Sequence, residues 1–530
     1  MDRVDGALRT WGATTTAEET WLASGQMWSG RAARAVGWST PTLGAVMRRR
    51  GCGVRLRVVA VVVLLATGCS GSGSDDEDAS NGDAQFAEMT TTAGSFLELN
   101  GWMWFYTTAD GISFAEVTGL LDDLHNQGIG VVGIYSPYDG DPDKWLGCVA
   151  RDFYDVTPAS GTLDDFTGLV DAAHRRGMKV VAYFGNLNID HESEFFHTAE
   201  EQYATGDHTS REVSAFHWAD DDQGRLPTPA FGPSEWAWSP TAGAYYWSFW
   251  GEAGFDLDLP GARAEVTRAE TFWLDQGLDG FMFDSGIADA ELQEAMVDLP
   301  STGTPNDKWL TFEATDAEHA DTYADFGLTS WFNLEDNDEE NDYSLVAAGP
   351  ATADDLDEAL AGAWEAHDAG KLTHAWSPFE ADAYPDPRMR TQEAALLAGT
   401  GIAYGAPSYT EHLAWPDTTR ADWAHVLTTV AGNPALTPAA SRTRVPSGSD
   451  PKTYALLSTA TDRSQTVLLA FNLQAQPATV PIDLTGTEVA ADQTPRDLYS
   501  GRPAPPITGP DYALDLPAYG FAILQVQTTP

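Results

Sequence analysis

The chain has 530 residues, 43% hydrophobic and 11% aromatic, enough for one large domain and a smaller one. Its formal charge is −50, with 79 Asp+Glu against 29 Lys+Arg, spread along the whole length. Such a surface repels nucleic acid and anionic membrane and suits a neutral partner such as a sugar.

The first segment reads as an address. Met47-Arg48-Arg49-Arg50 with Arg55 and Arg57 form a basic region, and Val58 to Leu65 is an apolar run too short to span a bilayer. Leu65-Ala66-Thr67-Gly68-Cys69 follows and resembles the lipobox of bacterial lipoproteins. That resemblance implies cleavage before Cys69, lipidation of its thiol, and an anchor holding the protein on the extracellular face of the cell membrane. Residues 1–46 have no place in such a signal, which makes Met47, or a nearby upstream codon, the expected start. The expected divisions are 1–68 (upstream segment and signal), 69–94 (polar tether), 95–437 (barrel) and 438–530 (C-terminal domain). The tether opens Ser70-Gly71-Ser72-Gly73-Ser74 and turns acidic, a composition that stays extended and solvated. With Cys52 removed and Cys69 lipidated, Cys148 stands alone, so no disulfide framework is expected. It reads as a small buried residue.

From about residue 95 strands and helices alternate. Trp102–Tyr106 is strand-like, Phe114–His125 has helical periodicity, and Gly128 stops it. Gly130–Tyr135 is a strand, Leu163–Arg176 a helix closed by Gly177, and Met178–Phe184 the third strand. A helix from Val266 to Gln276 stops at Gly277, and Leu278–Phe283 is a short buried strand ending on Asp284. Lys308–Phe312, Leu328–Phe332, Thr373–Phe379 and Gly401–Tyr404 continue the series. Eight β/α units predict an α/β fold of the (β/α)8 barrel type, with an insertion over about 185–260 after the third strand. A long structured insertion at a barrel rim is usually functional. Beyond about residue 440 short strands separated by Pro and Gly predict an antiparallel β-sandwich: Tyr454–Ser458, Val467–Leu473, Ala478–Leu484, Tyr512–Leu516 and Phe521–Val526.

Carboxylates follow several barrel strands. Asp284 ends the fourth, Glu313 follows the fifth, and Asp382 follows the seventh. Parallel barrels carry their chemistry at the C-terminal ends of the strands. Two carboxyl groups facing one bond are the minimum for glycoside cleavage, and a third anion can stabilise a cationic transition state.

These segments resemble the α-amylase family of glycoside hydrolases and transglycosylases. The resemblance rests on Asp110-Gly111-Ile112 with Gly133-Ile134-Tyr135-Ser136-Pro137, on Asp152-Phe153-Tyr154-Asp155-Val156, and on Leu169 to Val181. It continues through Phe272-Trp273-Leu274-Asp275-Gln276-Gly277-Leu278-Asp279-Gly280-Phe281 and Thr400-Gly401-Ile402-Ala403-Tyr404-Gly405. It implies that Asp284 is the nucleophile, Glu313 the general acid/base and Asp382 the transition-state stabiliser. The departures fall around the cleavage subsite. Met282 stands where the family has Arg, Ala381 where it has His, Tyr183 where the third strand ends on Asp, and Cys148 where a Tyr stacks. His191, Tyr183, Phe281, Trp236, Trp238 and Arg388 are the candidate substrate contacts. His191 and Arg388 are also candidates to orient Asp284. Most of the aromatic cluster Trp236, Trp238, Tyr245, Tyr246, Trp247 and Trp250 reads as core, with a part left as a sugar platform. The family often binds a structural calcium near the insertion, and Asn186, Asn188 and Asp190 could supply oxygens. Their spacing is not that of an EF-hand loop, which favours a polar loop without an ion.

The expected protein is a lipid-anchored monomer acting on an α-linked carbohydrate by retaining double displacement, as a hydrolase or transglycosylase. A sugar-binding lipoprotein that does not cut is the alternative.

Overall fold

The computed structural model describes residues 101–105, 111–144, 147–222, 224–227, 233–283, 309–312, 330–333, 335–338, 341–344, 352–368, 372–376, 384, 386–406 and 408–529. Eight strands form one sheet: β1 Gly101–Phe105, β2 Val131–Tyr135, β3 Lys179–Phe184, β4 Gly280–Phe283, β5 Trp309–Phe312, β6 Ser330–Asn333, β7 Leu372–Trp376 and β8 Ala403–Ala406. Their spatial order is β5-β4-β3-β2-β1-β8-β7-β6. Each recorded neighbour pair is parallel. β5 and β6, at the two ends of that order, lie against each other and close the barrel.

The helices between them have local causes. α1 (Phe114–Asn126) and α2 (Leu163–His174) each begin with a reciprocal cap, Ser113 with Glu116 and Thr162 with Asp165. α4 (Pro260–Asp275), which follows α3 (Glu194–Ala204) of the insertion, starts with proline in its first turn, where no amide donor is lost. It stops before Gly277, whose φ of +96° suits a residue without a Cβ.

Alternation along the strands sorts two layers. Val132 and Ile134, Val180, Ala182 and Phe184, and Phe281 and Phe283 pack outward in the core shared with α1, α2 and α4. Their neighbours turn to the barrel interior. There Trp102 meets Trp309 edge-on at 4.7 Å, and a Cβ on Gly133 would fall 2.4 Å from the Trp104 ring. Glycine in β2 is therefore what lets an indole fill the barrel centre.

The insertion is more ordered than its aperiodic sequence suggests. It holds α3 (Glu194–Ala204) and an antiparallel sheet of Asn188–Ile189, Trp218–Ala219, Ser234–Ser239, Ala244–Phe249 and Glu252–Gly254. After β7 come α6 (Arg388–Gly399), which follows α5 (Ala353–Asp368), then α7 (Tyr409–Ala414) and α8 (Asp417–Val430). In α6 every residue from Met389 to Gly399 is buried. It has no solvent face because the C-terminal domain covers it, with Gln392 Nε2 donating to Asn472 O at 2.7 Å.

That domain is a five-stranded antiparallel sheet, Ser441–Arg444, Thr453–Thr459, Thr466–Asn472, Phe521–Val526 and Arg496–Asp497, over the pair Ala478–Asp483 and Asp511–Leu516. Tyr454, Leu456, Leu469 and Phe471 face the barrel core. Ala455, Leu457, Leu468 and Ala470 face the two-stranded sheet. Period-two alternation thus seals both sides of one sheet.

Candidate active site

The C-terminal ends of β2, β3 and β4 meet in register. Tyr135 pairs with Tyr183, and Tyr183 with Met282. Phe281 and Phe283 face outward, so Met282 faces the barrel interior. Tyr135 and Tyr183 stack there at 4.5 Å with an interplanar angle of 17°. The inner wall beneath the mouth is thus two phenols and a thioether, with no charged side chain from these three positions.

The same strand ends carry unpaired polar groups. Ser136 follows β2 at φ +53°, a strained setting for a residue with a side chain. Among the described residues its buried hydroxyl has no hydrogen-bond partner, and the fully buried Asn186 after β3 has neither amide atom paired. Buried polar groups are normally satisfied, so two orphans beside one mouth mark a place prepared for polar guests. Tyr138 binds the loops above them. Its hydroxyl donates to Cys148 O at 2.6 Å and accepts from Gly185 N at 2.8 Å. Cys148 is buried and forms no disulfide among the described residues.

At the root of the insertion four ionisable groups converge. Lys144, from the loop after β2, places Nζ 2.8 Å from Asp190 Oδ1 and 3.1 Å from Glu252 Oε1. His191 Nδ1 lies 2.7 Å from Glu252 Oε2. The hydrogen bond to Glu252 raises the His191 pKa above its usual value, although burial opposes it. Burial pushes the Glu252 carboxyl up, but hydrogen bonds from His191 and Lys144 outweigh it and hold the group below the usual range. The hydrogen bonds favour the charged pair and outweigh burial, which disfavours it.

The six candidate contacts separate. Tyr183 lies at the mouth and His191 at the insertion root. Trp236 is half-buried in the insertion hairpin, its indole donating to Gly224 O at 3.0 Å. Trp238, on the same face, is 52% exposed and meets Tyr245 edge-on at 5.0 Å. Of the six aromatics expected to be mostly core, only Tyr246 and Trp247 are buried, while Tyr245 and Trp250 are half-buried like Trp236. Two readings need correction. Phe281 is not a mouth residue, because it packs outward against Phe184 at 5.2 Å. Arg388 is exposed, and its guanidinium is forked on Asp386, two residues away. Lys144 and Glu252 were not foreseen. Lys144 had a weak signal, a lysine in an acid-rich rim loop, and Glu252 had none, since antiparallel pairing of Glu252–Gly254 with Asn188–Ile189 brings it to His191. Asp284, Glu313, Asp382 and Cys69 lie outside the described residues. The chain reaches Asp284 directly after β4 and Glu313 directly after β5, whose last residues, Phe283 and Phe312, are register partners.

Comparison with known proteins decides the family. Residues 104–322 match the alpha amylase catalytic domain, and residues 445–523 match the maltogenic amylase C-terminal domain. The chain carries an α-amylase family catalytic domain. It is 32% identical over 199 residues to trehalose synthase/amylase TreS of Mycobacterium tuberculosis, covering 36% of this chain and 32% of that protein. It is 31% identical over 187 residues to a probable alpha-glucosidase of Rhizobium meliloti, covering 34% and 33%. The match thus spans about a third of the length of these curated relatives. The alpha-amylase structure from H. orenii superposes with a TM-score of 0.61 at 18% identity, covering 81% of this chain and 99% of that one. The α-amylase barrel with a C-terminal β domain is therefore the architecture of this chain.

Proposed function

We propose that the protein is a retaining α-glycoside hydrolase, with transglycosylation open to the same residues, acting on an α-linked oligo- or polysaccharide. The observation that carries this is the pairing of Phe283 with Phe312. Adjacent strands lie about 4.8 Å apart, so carboxylates one residue further on start from neighbouring backbones. Retaining cleavage needs carboxyl groups about 5–5.5 Å apart. In this reading Asp284 attacks the anomeric carbon. Glu313 protonates the leaving oxygen and then takes a proton from the water or sugar acceptor. Asp382 balances the oxocarbenium charge.

The wall around this pair argues for a sugar held otherwise than glucose in a starch-cleaving relative. Met282 supplies no charge beside Asp284, and Tyr183 offers a stacking face and one hydroxyl where a carboxylate would bind ring hydroxyls. Each charge-assisted hydrogen bond lost is worth about 1.5–3 kcal/mol, so losing several costs orders of magnitude in transition-state binding. Ser136 and Asn186 supply replacement polar atoms at the mouth. The test is turnover of the purified protein on a panel of α-glycosides beside soluble starch, read by product chromatography. Cleavage of a non-starch α-glycoside with weak action on starch is expected. Starch hydrolysis at about 10–1000 per second would overturn the specificity reading, and no cleavage across the panel would overturn the enzyme reading.

The cell-surface location is part of the proposal and rests on the sequence before Cys69. Cys69→Ala should move the protein out of the membrane fraction; a wild-type protein wholly free of lipid would refute it.

A further inference from the structure

A structural calcium near the insertion is what the family resemblance implies, and the residues at that place do not fit one. Asp190 and Glu252 are the carboxylates best set to hold an ion. With His191, their ligand atoms lie within 4.8 Å of one another. Lys144 Nζ already stands between them, at 2.8 Å from Asp190 and 3.1 Å from Glu252. Calcium binds carboxylate oxygens at about 2.3–2.6 Å, so an ion shared by these two would collide with the ammonium and be repelled by it. Asn188 is turned so that its Nδ2 donates to Phe249 O, and the misfit rests on the ammonium that already holds the two carboxylates.

We propose that the Lys144 ammonium is a built-in cation that replaces a divalent ion at the root of the insertion. It ties three segments far apart in the chain. Lys144 comes from the rim loop after β2, Asp190 and His191 lie where the insertion leaves the barrel, and Glu252 lies where it returns. The pairing is not a solvated surface contact, because the Asp190 side chain is 1% exposed and the Glu252 side chain 8%. Two buried carboxylates without a counter-charge would repel each other and pay full desolvation. Lys144 contributes one positive charge, and His191 a second when protonated. The cluster is then close to neutral without metal. Asp190 Oδ1 also accepts the Glu192 amide at 2.8 Å, which fixes the carboxylate just before α3. Burial alone would lower the Lys144 pKa, and hydrogen bonds to Asp190 and Glu252 reverse that, so the ammonium stays charged through neutral pH.

The test compares thermal unfolding of the purified full chain and two variants, with excess EDTA and with millimolar calcium or manganese, alongside metal analysis of each protein. The wild-type midpoint should be the same in all conditions. Lys144→Met should unfold several degrees lower in EDTA and regain much of that with added divalent ion, in a saturable way. Lys144→Arg should stay near wild type and indifferent to metal. Lys144→Met that loses nothing, or that no divalent ion restores, would overturn the proposal. So would wild-type protein that carries stoichiometric calcium and loses several degrees when EDTA removes it. That last measurement decides the matter even if Lys144→Met fails to fold.

Discussion

The two ends of the barrel treat their polar groups in opposite ways. At the N-terminal end Asp279, one residue before β4, is buried and fully engaged. It takes His174 Nε2 at 2.6 Å, Lys179 Nζ at 3.0 Å and the Val180 amide at 2.9 Å. Burial pushes its carboxyl up, yet His174 and Lys179 more than offset it and hold the group below the usual range. At the C-terminal end Ser136 and Asn186 are buried and, among the described residues, have no side-chain hydrogen-bond partner. The same strands thus carry a closed electrostatic clasp below and an unsatisfied rim above. Barrels spend stability at the face that works and recover it at the face that does not.

The largest expected effects separate the two ends by kind. Asp284→Asn should lower turnover on the best panel substrate by about three orders of magnitude or more, with the unfolding midpoint unchanged. Asp279→Ala should do the reverse, costing about 3–5 kcal/mol in denaturant unfolding, because it strands the Lys179 ammonium, the His174 ring and the Val180 amide. Activity per folded molecule should survive. If Asp279→Ala lost activity while keeping its stability, the division of labour would fail.

Asn186→Ala probes the rim on a smaller scale. The native side-chain amide makes no hydrogen bond among the described residues, so its removal should cost less stability than ordinary loss of a buried polar residue. If the amide meets a sugar hydroxyl, kcat/KM should fall about tenfold, the equivalent of about 1.4 kcal/mol. An unchanged kcat/KM would make Asn186 a packing residue only.

His412, in α7 after β8, gives a pH-dependent test. Its ring lies between Trp415 and Trp423, and burial, with Arg420 and Arg390 nearby, lowers its pKa to about 4. The unfolded chain binds a proton near pH 6.5 that the folded chain refuses until about pH 4. Stability is therefore present above pH 6.5 and lost as pH falls toward 4, by about 3 kcal/mol at full effect. His412→Gln should flatten this part of the acid limb in midpoint-against-pH curves. A variant with the wild-type slope would remove His412 from the account.

Much of the barrel was legible because its signals are local. Gly128, Gly177 and Gly277 all have positive φ after their helices, and the sandwich strands fall close to where alternation puts them. What escaped depends on facing and on distance. Phe281 is no substrate contact, because alternation along β4 sets it opposite Met282. Arg388 was read as reaching inward, and a carboxylate two residues away holds it in solvent. The Lys144–Glu252 contact spans 108 residues, and no periodicity in the insertion announces it.

The account's central claim is that adjacent strand ends present a nucleophile and an acid to one glycosidic bond. The most direct measurement is proton NMR of the first product formed from the best α-glycoside substrate, before mutarotation. Double displacement through Asp284 predicts the α-anomer first. A β-anomer formed first would mean direct attack by water and would contradict the account.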